Sequence, residues 1–173
     1  AHGNLGLILF ALNRHEEAIA SCQRALALNP DLAEAHCNLG LVLSALNRHE
    51  EAVACYRRAL ALKPDFAEAH WNLGLALLGT GDFERGWKEH EWRWHAKVIG
   101  PRKSFQQPLW LGADDLTGKT VLLHSEQGLG DTLQFVRYAP QFKARGARVV
   151  LQVQRPLISL MASLAGIDRV IAE

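Results

Sequence analysis

One period of 34 residues organises the first half of the chain. Written in register, AHGNLGLILFALNRHEEAIASCQRALALNPDL, AEAHCNLGLVLSALNRHEEAVACYRRALALKPDF and AEAHWNLGLALLGTGDFERGW align His2 with His36 and His70. The same alignment joins Asn4, Asn38 and Asn72, and Gly6, Gly40 and Gly74. A unit this short cannot bury an apolar face alone, so its copies must stack and share a core. Leu39, Leu43 and Leu46 recur at helical spacing in the first half of a unit, and Ala52, Tyr56, Ala59 and Leu60 do so in the second. Asn13, Asn47 and Gly81 fill the break between the two stripes, and these are the residue types that best tolerate a left-handed backbone, so each break reads as a helix stop. Pro30 and Pro64 end the second helices because proline cannot continue them.

A 34-residue period with two helices per unit resembles the tetratricopeptide (TPR) repeat, and the predicted N-terminal architecture is an α-solenoid over 1–97, with units 1–32, 33–66 and 67–97. Gly40 and Ala52 resemble the small residues that let TPR helices approach closely. The third unit departs from the pattern: Gly86 replaces Ala18 and Ala52, and the proline gives way to WKEHEWRWHAKVI. Trp87, Trp92 and Trp94 suggest an enlarged closing helix whose rings either pack on the next part of the chain or seal the last repeat.

In TPR proteins the first helices line a concave face, which places Asn4, Asn38 and Asn72 in a column. An Asn amide both donates and accepts, so such a column can hold an extended chain by its peptide groups. It resembles the asparagine ladder of the O-GlcNAc transferase TPR domain, and implies a protein or peptide partner. The competing role is a bond to a neighbouring helix within the solenoid. For His2, His36 and His70, and for the copies His15 and His49, a structural role fits better than metal binding, since the repeat holds such side chains too far apart for one ion. No metal site is expected.

Nineteen basic and eighteen acidic residues leave a net charge of +1, and no Lys/Arg run marks a nucleic-acid or membrane surface. Cys22, Cys37 and Cys55 form no C-x-x-C pair, as expected of reduced thiols in a cytoplasmic protein. There is no apolar run of membrane-spanning length and no secretory leader pattern. The chain starts without methionine and inside a repeat, so an excised fragment is expected.

Helical patterning fails near Val98, and 98–119 reads as a connecting segment. Beyond it, TVLLHSE, ARVVLQVQ and IDRVIAE read as strands, and DTLQFVRYAPQFKARG and PLISLMASLAG as helices. The order β-α-β-α-β predicts parallel strands and a partial Rossmann-like unit over 120–173, making the whole chain α plus α/β. Gly118-Lys119-Thr120 precedes a strand rather than a helix, and is read as a turn rather than a phosphate loop. Gln127, Gly128 and Gly130 stand between strand and helix, where backbone amides can approach a ligand. Leu133 replaces the third glycine of a dinucleotide fingerprint and no acid ends the second strand, which disfavours NAD. Asp131 has two open roles, as helix N-cap or as catalytic group.

The segment EQGLGDTLQFVRYAPQFKARGARVVLQVQRPLISLMASLAGIDRVI, with FQQPLWLGADDLTGKTVLLHS before it, resembles the start of the glycosyltransferase-like domain that follows TPR repeats in many bacterial proteins. That domain is similar to the two-domain (GT-B) heptosyltransferases. The resemblance implies that Asp131 is a candidate general base for an acceptor hydroxyl, and that a longer form binds a nucleotide-sugar donor mainly through a second domain. His124, Glu126 and Gln127 lie at the strand end suited to touch a ligand. The expected consequences are no cofactor and no transferase activity in this fragment, and self-association through the edge of a truncated sheet. The alternative is a non-catalytic protein-protein interaction scaffold.

Overall fold

The structure, a computed structural model, describes residues 2–96 and 103–173, with side chains from residue 5 onward. It divides into two compact units, 1–102 and 103–173. Within the expected connecting segment, 98–102 lie outside the described residues, and 103–119 are irregular and turn-rich.

The N-terminal unit contains α1 (His2–Ala11), α2 (His15–Leu28), α3 (Ala33–Ala45), α4 (His49–Leu62), α5 (Ala67–Gly79) and α6 (Phe83–His90). They pack as the hairpins α1/α2, α3/α4 and α5/α6, with α2 on α3 and α4 on α5. Each hairpin turn is built alike. Asn13, Asn47 and Gly81 take φ of 58°, 60° and 84°. The amide one residue later then returns to the first helix, Arg14 to Leu9 O, Arg48 to Leu43 O and Asp82 to Leu77 O, each at 2.9 Å. This is a Schellman stop, which satisfies carbonyls that the helix end would otherwise leave open.

Close approach of the two helices depends on one position. A Cβ at Gly6 would lie 2.5 Å from Cys22 Sγ, one at Gly40 2.7 Å from the Tyr56 ring, and one at Gly74 2.6 Å from the His90 backbone nitrogen. The partners Cys22, Tyr56 and His90 are themselves 34 apart. Ala18 and Ala52 are fully buried opposite, and at Gly86 a Cβ would meet Leu78 at 2.8 Å. The core runs continuously through Leu43, Ala52, Tyr56, Ala59, Leu73 and Leu77.

The third unit corrects the expected enlarged helix. α6 stops at His90 and passes into a 3-10 turn, Glu91–Trp94. Trp92 folds back to stack on His70, with ring centroids 4.0 Å apart and planes 8° from parallel, so this ring seals the last repeat.

The C-terminal unit is a parallel sheet ordered β1 (Thr120–His124), β2 (Arg148–Val153), β3 (Arg169–Ala172). Leu122 sits beside Val150, and Val150 beside Arg169. Val149, Leu151 and Val153 alternate inward from β2, with Leu157 and Met161 over the end of that strand. Among the described residues β1 and β3 are edge strands. All three strands are shorter than the segments read from sequence.

Neither expected helix is continuous. The first divides into α7 (Leu129–Phe135), a 3-10 turn at Val136–Tyr138 and α8 (Ala139–Ala144). Pro140 explains the break, because it lacks the N–H that would bond back one turn and its ring crowds the carbonyl there. The second reduces to a 3-10 turn at Arg155–Leu157, opened by Pro156, and α9 (Ile158–Met161). Gly118, at φ 69°, forms the turn expected of Gly118-Lys119-Thr120, and its amide bonds Gly146 O at 3.0 Å.

Glycine substitutions on the two units should differ sharply. Gly40→Ala drives a methyl into the Tyr56 ring and should cost about 1–3 kcal/mol in urea unfolding. Gly130→Ala, where nothing lies within 4 Å of the new carbon, should stay within about 0.5 kcal/mol of the parent. In the C-terminal unit, Asp168 accepts from Lys143 at 2.5 Å and from the Val149 amide at 2.7 Å. The lysine, then the amide, hold its carboxyl below the usual range. A depressed folded-state value means stability that is present above the unfolded pKa of about 3.9 and is lost as pH falls through the folded value. Urea midpoints of Asp168→Asn should therefore fall less steeply than the parent's below about pH 4; an unchanged slope would show that the carboxylate contributes nothing to acid stability.

Candidate functional site

On α3, Glu34, Asn38, Leu41 and Ala45 share one face, and on α5 the equivalents are Glu68, Asn72, Leu75 and Gly79. The opposite faces are spent on the core: Leu39, Val42 and Leu43 are buried on α3, and Leu73, Ala76 and Leu77 on α5. α3 and α5 are neighbours, so Asn38 and Asn72 occupy the same place on adjoining helices. Both side chains are half-buried, while the Asn4 side chain lies outside the described residues. The Asn72 amide nitrogen also points at Cys37 Sγ of the preceding repeat, 4.0 Å away, a weak contact that orients the group.

Burial pushes the Cys37 thiol up to about 11, so it stays a neutral thiol beside that amide. Cys22 and Cys55 are likewise raised by burial, and all three cysteines are free thiols. Of the histidine column, the His2 side chain lies outside the described residues, and the other two rings bond within the repeats. Nε2 of His36 lies 2.9 Å from Pro30 O, and Nε2 of His70 lies 2.9 Å from Pro64 O, so each ring donates to the carbonyl that ends the previous second helix. His70 also places Nδ1 2.5 Å from Glu89 Oε2.

A hollow of about 500 Å³ lies between α2, α3 and α4, and neither Asn38 nor Asn72 lines it. Ile19, Leu39, Leu43 and Cys55 line it. At its rim Arg48 and Glu51 already pair with each other, 2.7 Å apart.

The glycine loop lies at the carboxyl end of β1. Gly128 is the N-cap of α7 and Asp131 its third residue, which corrects the reading of Asp131 as N-cap. The Asp131 carboxylate reaches back to accept from the Gly128 N–H at 3.2 Å. This is half of a capping box, since glycine has no side chain to return the bond. Gln127, Gly128, Gly130 and Asp131 are all exposed. His124 packs on Phe105 with centroids 4.8 Å apart, and its Nδ1 lies 3.1 Å from Ser125 O.

Two groups around this loop carry no signal in the sequence. Gln154, just beyond β2, donates to Gln127 O at 2.8 Å and accepts from Thr132 Oγ1 at 3.0 Å, so it pins the loop to the sheet. Glu173 accepts from Lys103 and from the buried Ser125 hydroxyl, and Lys103 donates to Ser125 O at 2.9 Å. Lys103 first, then Ser125, hold the Glu173 carboxyl below the usual carboxylate range. These partners lie 48 and 70 residues apart in sequence, beyond the reach of any local pattern.

The family model described as TPR repeat matches residues 6–47 and 42–81. No curated protein matches the chain. Among solved structures, MamA is 31% identical, with a TM-score of 0.51 over 56% of this chain and 56% of its own. This chain thus spans little more than half of MamA. The Sgt2 TPR domain from Aspergillus fumigatus is 24% identical, with a TM-score of 0.53 over 58% of this chain and 67% of its own. The second TPR of Spaghetti (RPAP3), bound to the HSP90 peptide SRMEEVD, is 20% identical, with a TM-score of 0.53 over 56% of this chain and 89% of its own. The N-terminal unit of this chain is built of TPR repeats.

Proposed function

We propose that the N-terminal repeats bind an extended segment of another protein along the face made by their first helices, and grip it by its backbone. The observation that carries this reading is the placement of Asn38 and Asn72 at one repeat position on the neighbouring helices α3 and α5, half-buried on the face that the core does not use. An Asn amide has two N–H donors and an oxygen that accepts twice, so it can bond a peptide group besides a neighbour within the repeats, and each such bond contributes about 1 kcal/mol net. Asn4 extends the column by repeat position. Leu41 and Leu75 lie beside the amides as apolar contacts for alternate side chains of an extended chain.

The face also selects by charge. Its eight positions on α3 and α5 include Glu34 and Glu68 and no Lys or Arg; Lys63 reaches Glu34 at 3.7 Å, which leaves Glu68 to carry the preference. SRMEEVD belongs to the Spaghetti structure, and at that identity only the fold carries over. An acidic peptide would meet like charge here, so the reading favours neutral or basic segments.

As a second reading, the C-terminal unit is the beginning of a glycosyltransferase-like domain of a longer protein, in which the repeats present the acceptor. What supports it is a parallel β-α-β-α-β order with the loop Gln127 to Asp131 at the carboxyl end of β1, where open α/β sheets place ligands. Asp131 is the proposed base for the acceptor hydroxyl, and a nucleotide-sugar donor would belong to the longer form. The alternative within this reading is a scaffold without chemistry. We place the protein in the cytoplasm, which free thiols fit. No helix among the described residues is long and apolar enough to cross a membrane.

Binding of overlapping peptide arrays should favour neutral and basic sequences, and Asn38→Ala with Asn72→Ala should weaken the best peptide about tenfold or more at unchanged helicity, as expected for the loss of about two net hydrogen bonds. Equal affinity for the double variant would make the asparagines structural. For the second reading, the 173-residue chain should turn over no nucleotide-sugar donor; product formed by this chain would overturn that.

A further inference from the structure

Asn38 and Asn72 set an interval that a bound backbone must match. They hold one repeat position on the neighbouring helices α3 and α5, and the Asn72 amide nitrogen lies 4.0 Å from Cys37 Sγ on the helix before it. Helices packed side by side lie about 8–10 Å apart, so a repeat position recurs at about that interval along the face. In a β-strand, groups on one side recur every second residue, about 7 Å apart, and a three-residue step of about 10 Å turns the peptide group to the opposite side. A polyproline II chain has three residues per turn and rises about 3.1 Å for each, so its carbonyls face one way about every 9 Å. Of these two extended backbones, it is the second that offers one like-oriented carbonyl per repeat.

The rows flanking the amides suit the same backbone. Glu34 and Glu68 stand four residues before the asparagines, and Leu41 and Leu75 three residues after them, so an acid, an amide and a leucine lie in line across each helix. Leu75 is 43% exposed. Glu68 is exposed too, while Lys63 reaches Glu34 at 3.7 Å. A chain with three residues per turn has three edges: one can turn carbonyls to the amides, the second apolar side chains to the leucines, and the third a basic side chain to Glu68. The donors also match. One N–H of Asn72 lies toward Cys37 Sγ, which leaves the other for a carbonyl. Polyproline II has no internal hydrogen bonds, so its carbonyls are open, and proline brings no N–H that would need an acceptor.

We propose that the first-helix face selects proline-rich segments in the polyproline II conformation, with a basic residue opposite Glu68. This rests on the reading of that face as the one that grips a backbone, and it sets every third side chain, rather than alternate ones, against Leu41 and Leu75.

Fluorescence anisotropy of the 173-residue chain tests this with three labelled peptides of about 12 residues, or about four turns: Pro-Ala-Lys repeated, Val-Thr-Lys repeated and Pro-Ala-Gln repeated. Pro-Ala-Lys should bind about tenfold or more tighter than Val-Thr-Lys, which has the same charge and spacing but favours a strand. Asn38→Ala with Asn72→Ala should remove most of that affinity at unchanged helicity. Glu68→Gln, at an exposed position, should weaken Pro-Ala-Lys about two- to fivefold and leave Pro-Ala-Gln unchanged. If Val-Thr-Lys binds as tightly as Pro-Ala-Lys and both are lost in the asparagine variant, the conformational proposal falls and the backbone grip stands. Tighter binding of Pro-Ala-Lys that ignores the asparagines would overturn both. Failure of all three peptides to bind would overturn the proposal, and a Glu68→Gln variant with unchanged affinity for Pro-Ala-Lys would overturn its basic preference.

Discussion

The structure of the repeats depends on a contact with no side chain on one side of it. At Gly6, Gly40 and Gly74 the first helix has no Cβ, and the second helix comes within what would be 2.5 to 2.7 Å of that missing carbon. With the axes this close, Ala18 and Ala52 are fully buried opposite, and the Tyr56 ring is buried against Gly40. A larger residue would push the helices apart and open the core along its length, since each repeat is packed on the next. The Schellman turns at Asn13, Asn47 and Gly81 are the local counterpart. They reverse the chain tightly enough to bring the two helices to this distance.

This packing decides which face is left for recognition. Leu39, Val42 and Leu43 are committed to the core of α3, so the helix presents Glu34, Asn38, Leu41 and Ala45 on its other side. Stacking then repeats that face 34 residues later on α5. A ladder of amides at nearly constant spacing arises from the repeat itself, and it suits a ligand that is also periodic, an extended backbone. The histidines serve the same geometry from behind by tying His36 to Pro30 and His70 to Pro64, which holds each first helix to the end of the previous second helix.

What the sequence reveals here depends on how often it says it. The turns, the glycine contacts and the bonds of His36 and His70 are legible because the repeat restates one solution, and accidental features do not recur. Features present once are harder to read. The third repeat lacks the closing proline, which suggests a longer helix, yet α6 ends at His90 and Trp92 turns back onto His70. Pro140 does carry the signal for a broken helix, and the surrounding apolar pattern masks it. Asp131 looks like a cap because it is a good one by type, but Gly128 takes that position and the carboxylate bonds backward from the third residue. Gln154, Lys103 and Glu173 act across long sequence separations, and no periodicity announces them.

The most direct test of a backbone-gripping first-helix face is a titration of the side-chain amide resonances of Asn38 and Asn72 with the best-binding peptide. The account predicts that both move together on one binding curve, while those of Asn13 and Asn47 in the hairpin turns stay in place. Perturbations confined to the α2 and α4 side, with the Asn38 and Asn72 signals unmoved, would contradict it.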